Sequence, residues 1–130
     1  MKLPIQLSKD SREPIYHQIE KQLKALIAGG HIEAGASLPS IRVLSKDLGV
    51  SIITTRRAYQ NLENEGFIET IQGKGTFVAT IDRSLKEATK ESAVYDAFKQ
   101  AVEIAKNYDY TLSEIEQLLK TVISEYKKGE

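Results

Sequence analysis

The chain has 130 residues, with 18 Lys plus Arg against 18 Asp plus Glu, two histidines and no cysteine. This length fits one domain with a small second element and excludes a large catalytic domain, while the missing cysteines exclude disulfides and thiolate chemistry. Because no apolar run approaches the roughly 18 residues of a membrane helix and the N-terminus lacks a signal-peptide core, we expect a cytoplasmic protein without a membrane partner. Two histidines are too few for most metal sites, and neither a metal nor another cofactor is expected.

The first predicted helix runs from Glu13 to Ile27. Its apolar residues recur at i, i+4, i+8 and i+11, which is the spacing of one helical face. Pro14 suits the first turn, and Gly29-Gly30 is expected to stop the helix. A short extended segment, residues 32–38, follows.

Two short helices separated by a tight turn come next. Ser40 stands at an N-cap position before apolar residues at helical spacing, and Gly49 ends this helix. Ser51 caps the following helix, which we expect to bury one face and to turn the other toward solvent. The predicted buried residues are Thr55, Ala58, Tyr59 and Leu62. The predicted exposed residues are Ile53, Arg56, Arg57 and Gln60.

A β-hairpin is predicted after the second of these helices. Residues 67–71 and 76–79 are β-branched or aromatic, and Gln72-Gly73-Lys74-Gly75 joins them. After Thr80 the pattern becomes helical: a long amphipathic helix breaks near residues 107–109, and Thr111 with Glu114 forms a capping box for a last helix.

These elements predict a mostly α fold with a small β wing, that is, an α+β fold. We expect an N-terminal winged helix-turn-helix in residues 1–80 and a two-helix C-terminal hairpin in residues 81–130. A helical pair of about 45 residues is too small to form a stable core alone, so a homodimer is the simplest way to cover it. The predicted dimerisation residues are Leu85, Tyr95, Phe98, Val102, Leu112, Ile115, Leu119, Val122 and Tyr126.

A helix-turn-helix followed by a wing is a surface for duplex DNA, and the second helix enters the major groove with its N-terminal residues first. Arginine can bond guanine, hydroxyl groups can reach phosphate or base, and Ile53 can pack on a thymine methyl group. Arg42 and the amides near Ser40 would hold phosphates, and the wing glycines let the backbone approach a groove. The predicted DNA-binding residues are Ser40, Arg42, Ser51, Ile53, Thr54, Arg56, Arg57, Gln72, Gly73 and Lys74.

The zero net charge argues against a nucleic-acid ligand, because phosphate contacts need lysine and arginine. The local distribution is more favourable. Residues 1–80 carry 10 Lys plus Arg against 8 Asp plus Glu, the remaining residues carry 8 against 10, and the segment from Arg42 to Arg57 has four basic residues against Asp47 alone. We therefore expect a focused basic patch, symmetry between subunits and a strong dependence of affinity on salt.

Taken in order, a set of short motifs closely resembles the GntR family of bacterial transcription regulators over residues 12–80. The motifs are Pro14-Ile15-Tyr16-His17-Gln18-Ile19, Gly35, Leu38-Pro39-Ser40-Ile41-Arg42, Leu48-Gly49-Val50-Ser51, Arg57-Ala58-Tyr59, Leu62-Glu63-Asn64-Glu65-Gly66 and Gly73-Lys74-Gly75-Thr76-Phe77-Val78. The following residues resemble the short helical region of the YtrA-type subfamily.

The resemblance implies a homodimeric winged-helix repressor that binds double-stranded operator DNA of palindromic sequence and often controls a transporter operon. It assigns DNA contact to a subset of the residues above. That subset is Arg42, Ser51, Thr54, Arg56, Gln72, Gly73 and Lys74. One departure concerns Ile52, because many relatives have arginine directly after the Val-Ser pair.

The alternatives to a DNA-binding regulator are an interaction module and an enzyme. A winged-helix module whose basic face binds an acidic protein stays open, and discrimination between operator and scrambled duplex would separate it from a regulator. An enzyme is not expected, because the chain ends at Glu130, short of the aminotransferase-like domain of some relatives, and it has no catalytic constellation. A small-molecule effector of unknown identity would need a pocket between subunits, because typical cavities exceed about 300 Å³.

Overall fold

The computed structural model describes residues 2–129. Within them the chain forms α1 (Ile15–Ala28), β1 (Ser37–Leu38), α2 (Ile41–Leu48), α3 (Ile52–Asn64), β2 (Ile68–Ile71), β3 (Gly75–Val78), α4 (Arg83–Asn107) and α5 (Leu112–Gly129). Of the described residues, those up to 90 form one compact unit and those from 91 form a second. In this described part, no helix combines the length and apolarity needed to cross a bilayer.

The hydrophobic core of the first unit lies where α1 and α2 pack against α3 and the small sheet closes one side. The helices and the sheet all contribute fully buried aliphatic side chains to this core. In the helices, the apolar residues recur at helical spacing and therefore lie on one face. They are Ile19, Leu23, Leu44, Leu62 and Val78. Burial of each such side chain stabilises the fold by about 1.5–3 kcal/mol.

Helix α1 begins two residues later than predicted. Pro14 is its N-cap in an extended conformation, so it lies just before the helix instead of within the first turn. The predicted stop at Gly29-Gly30 is confirmed: the Gly29 amide donates to the Ala25 carbonyl at 2.8 Å and the Gly30 amide to the Ile27 carbonyl at 3.2 Å.

An N-terminal segment that the sequence analysis missed also belongs to this core. Leu3 and Ile5 are buried, and the side-chain amide of Gln22 both accepts from and donates to the backbone of Gln6, at 2.9 and 2.7 Å. Gln18 holds the backbone of Ser8 in the same way, at 2.8 and 2.9 Å. The alternating apolar residues at positions 3, 5 and 7 were the signal for this extended segment.

The sheet has the order β1-β3-β2, and both strand pairs are antiparallel. Ile68 pairs with Val78 and Ile71 with Gly75, so the hairpin loop has three residues instead of the predicted four. Of the extended segment predicted at residues 32–38, only β1 pairs as a strand.

The C-terminal helices have the predicted break and capping box. Asp82 caps α4: its carboxylate accepts from the Leu85 amide at 2.8 Å, and this bond is the main reason that the pKa of Asp82 is lowered. Asp109 has a positive φ of 63° in the turn before α5, a conformation that aspartate tolerates. The predicted capping box is confirmed by reciprocal bonds between Thr111 and Glu114 of 2.8 and 3.1 Å. The domain boundary after residue 80 stays a prediction, because the compact units divide inside α4.

Candidate nucleic-acid interface

Two serine caps and one glycine fix both ends of α2 and the start of α3. Ser40 accepts from the Val43 amide and Ser51 from the Thr54 amide, each at 3.1 Å, so both predicted N-caps are confirmed. Gly49 ends α2 with φ 68° and ψ 36°, a left-handed conformation that a side chain would strain. These local preferences end α2 at Leu48 and begin α3 at Ile52, and the side chains of Ile52 and Ile53 are exposed.

Helix α3 has the two faces that its sequence predicts. The four residues predicted to be buried are buried, and those predicted on the opposite face are exposed. Thr55 is fully buried and satisfies its hydroxyl group by donating to the Ser51 carbonyl at 3.3 Å. A threonine is therefore accommodated in this core position without an unsatisfied polar atom.

Tyr59 fixes α3 to the segment that leads into α2. Its buried hydroxyl group donates to the carbonyl of Pro39 at 2.7 Å, next to the Ser40 cap. Burial raises the pKa of Tyr59. The hydroxyl group therefore stays protonated in the folded protein and keeps this bond over the whole physiological range.

We expect Tyr59→Phe to lower the free energy of unfolding by about 1–3 kcal/mol, because the Pro39 carbonyl loses its partner. Because the pKa of Tyr59 is raised in the folded protein, its hydroxyl group contributes fully to the free energy of unfolding below about pH 10, where free tyrosine titrates. This contribution is lost as the pH rises further. Urea unfolding at pH 7, 9 and 11 measures both effects. Exposed Tyr108→Phe is the control, and equal stability of the two variants at every pH would contradict this role.

Within residues 2–129, no carboxylate pairs with the basic side chains of α2, α3 and the wing. Among residues 2–129, the lysines in ion pairs are Lys21, Lys24 and Lys90. The residues outside every such pair include Arg42, Lys46, Arg56 and Lys74, and all four are exposed. Their charge is thus available to an anionic ligand.

Arg57 differs from its neighbour on α3. Its guanidinium group lies 3.9 Å from the centre of the Tyr16 ring on α1, which is the arrangement of a cation–π contact. This contact holds the side chain against α1. The N–H groups at the edge of the guanidinium plane are not used by any hydrogen bond within the described residues.

The wing places the remaining predicted residues at the tip of the β2–β3 hairpin. Gln72, Gly73 and Lys74 are exposed, and the Lys74 amide donates to the Ile71 carbonyl at 2.9 Å. Gly73 has a positive φ of 81°, which closes this short turn.

The predicted dimerisation residues lie on α4 and α5, of which no residue is buried within the described chain. Thirteen of the 17 large hydrophobic residues that are exposed among residues 2–129 lie at position 85 or beyond. Such an accumulation exceeds the scattered apolar residues of a monomer surface.

A helix-turn-helix followed by a β-hairpin wing defines a winged helix-turn-helix domain, a class of DNA-binding fold. The family model described as "Bacterial regulatory proteins, gntR family" matches residues 15–78. The repressor YtrA of Bacillus subtilis is 31% identical over 125 residues, which are 96% of each chain. The chain therefore belongs to the GntR family, as its motifs predict.

Some relatives match a smaller part of the chain. The repressor NagR of Bacillus subtilis is 42% identical over 56% of this chain, but the match covers only 30% of NagR. The chain is thus similar to YtrA over nearly all of its length, whereas its match covers less than a third of NagR.

The chain is also similar to solved structures of other proteins. A GntR family transcriptional regulator from Listeria monocytogenes is 28% identical with a TM-score of 0.72, over 86% of this chain and 97% of that chain. AraR(DBD) in complex with operator ORE1 is 31% identical with a TM-score of 0.50, over 59% of this chain and 94% of that chain. The fold and the family are those of DNA-binding transcription regulators.

Proposed function

We propose that the protein represses transcription in the bacterial cytoplasm by binding a palindromic operator as a homodimer. The observation that carries this proposal is the set of exposed cations on α2, α3 and the wing that no carboxylate of the described residues neutralises. Duplex DNA is the polyanion whose major groove accepts a helix such as α3. The repressor function of YtrA and the operator complex of AraR(DBD) support this choice.

The proposed contacts follow from the position of each group. Arg56 lies one turn into α3, where it can bond guanine or phosphate. Arg42 lies beside the capped N-terminus of α2 and would hold a phosphate there. The backbone amides at this end of the helix point away from it and favour an anion at the same place. Lys74 would contact a phosphate at the edge of the adjacent groove from the wing. Arg57, already held by Tyr16, would contact phosphate through its free N–H edge.

The proposed dimer is formed by the apolar residues of α4 and α5. Their exposure in the single chain leaves a surface that a second copy can cover with the same residues, as a two-fold axis requires. Two-fold symmetry in the protein matches a palindrome in the DNA, with half-sites about 34–36 Å apart.

An effector bound between the subunits would act by changing the distance between the two α3 helices. The proposed targets include a transporter operon.

The experiment is selection of binding sequences from a random DNA pool, followed by titration of the selected duplex and a scrambled duplex at matched salt. We expect an inverted repeat and binding at least 1,000-fold tighter than to the scrambled duplex. Equal affinity for the two duplexes would overturn the proposal and favour the protein-interaction module, because electrostatic attraction alone carries no base code.

We expect Lys74→Ala to weaken binding to specific and scrambled duplexes alike, because Lys74 contacts phosphate in this proposal. The slope of the logarithm of affinity against the logarithm of salt concentration should become less steep by about one per subunit. Titrations between about 50 and 200 mM salt measure this slope. Lys120→Ala removes the same charge from the exposed surface of α5 and is the control; an unchanged slope for Lys74→Ala would contradict the wing contact.

A further inference from the structure

The first turn of α3 exposes two adjacent aliphatic side chains. Ile52 is 39% exposed and Ile53 is 76% exposed. Up to residue 80, the large hydrophobic residues exposed in the described chain are Val43, Ile52, Ile53 and Ile71. Two of them are therefore consecutive residues at the end of α3 that enters the groove first in the proposed complex.

The hydroxyl groups of this turn are largely committed to bonds within the chain. The Ser51 hydroxyl accepts from the Thr54 amide at 3.1 Å and donates to the Thr54 hydroxyl at 2.8 Å. The Thr55 hydroxyl is buried and donates to the Ser51 carbonyl. Of the three hydroxyl groups, only that of Thr54 keeps a proton for an external acceptor. The surface that the first turn offers to a ligand is consequently mainly hydrocarbon.

In the major groove, the C5-methyl group of thymine is the apolar group that the base pairs present, and cytosine lacks it. We infer that Ile53, with Ile52 beside it, contacts a thymine methyl group in each operator half-site and makes this methyl group a determinant of specificity. This inference rests on the proposed function. The unpaired cations Arg42 and Arg56 on the same helix pair favour DNA over an apolar protein surface as the partner of the isoleucines.

Uracil tests this inference because it differs from thymine only by the methyl group. Synthetic duplexes of the selected operator would carry deoxyuridine at one symmetric pair of thymine positions at a time. At the contacted pair of positions, we expect the affinity of the wild-type protein to fall about four-fold for each methyl group lost. This ratio of affinities corresponds to about 0.8 kcal/mol, the free energy of burying one such group. Ile53→Ala should bind the thymine and uracil duplexes with equal affinity.

Gln60→Ala is the matched control, since Gln60 is exposed on α3 two turns further along. It should keep the wild-type ratio of thymine to uracil affinity. Because Ile53 is mostly exposed, its replacement removes little packing, and circular dichroism would verify an intact fold. The inference is overturned, with the proposed function intact, if uracil is tolerated at every position or if Ile53→Ala keeps the wild-type ratio. Failure to select any preferred sequence would overturn the proposed function itself.

Discussion

Leu119→Asp is expected to convert the protein into a monomer and to weaken operator binding by about 100-fold or more. Leu119 lies on α5 at helical spacing from Ile115 and Val122, and it is 42% exposed in the single chain. A carboxylate in the middle of this stripe would be buried without a partner in the dimer. Loss of the second subunit removes the effective-concentration gain of about 10²–10⁴ that linked binding sites provide.

Sedimentation measures the oligomeric state, and titration of the selected operator measures the affinity. Gln117→Asp introduces the same charge on a different side of α5 and should leave both unchanged. A dimer with wild-type affinity for Leu119→Asp would show that subunits associate through another surface. Monomers that still bind with wild-type affinity would show that the operator does not need two linked copies.

Arg56→Ala should cost about 1–3 kcal/mol of binding free energy in each half-site, or roughly 5- to 150-fold in affinity, if the guanidinium group bonds guanine bidentately. The loss should be larger on the selected operator than on a scrambled duplex, because a base contact carries sequence information. Selection with the variant should also yield a relaxed consensus at the contacted position. Arg56 is exposed and outside every ion pair of the described residues, so the fold should stay intact.

Lys120→Ala serves as the charge control for this variant as well, and it should bind both duplexes as the wild type does. An equal loss of affinity on operator and scrambled duplex would assign Arg56 to phosphate instead of base. Unchanged affinity on both would remove Arg56 from the interface.

Local signals in the sequence predicted most of the winged domain. Ser40, Ser51 and Gly49 act through bonds within a few residues of themselves, so their positions alone indicated the ends of α2 and α3. The buried face of α3 followed from helical spacing in the same way. Thr111 and Glu114 are a further case, because a capping box is complete within four residues.

Contacts that join distant residues were not predictable in this way. Gln22 binds the backbone of Gln6, and Arg57 stacks on Tyr16, across 16 and 41 positions respectively. Each depends on how α1 packs, which no local pattern encodes. The bond that the Ser51 hydroxyl donates to the Thr54 hydroxyl is local, but the sequence analysis predicted only the Ser51 cap. This bond changes which groups of the first turn are free for DNA.

The central claim is that two copies of the chain present paired α3 helices to one face of a palindromic duplex. Hydroxyl-radical footprinting of the selected operator, combined with the stoichiometry of the complex, tests it most directly. The account predicts two chains per duplex and two protected regions on the same face, separated by one helical turn of about 10–10.5 base pairs or a multiple of it. A single chain per duplex, or protection without two-fold symmetry, would contradict it.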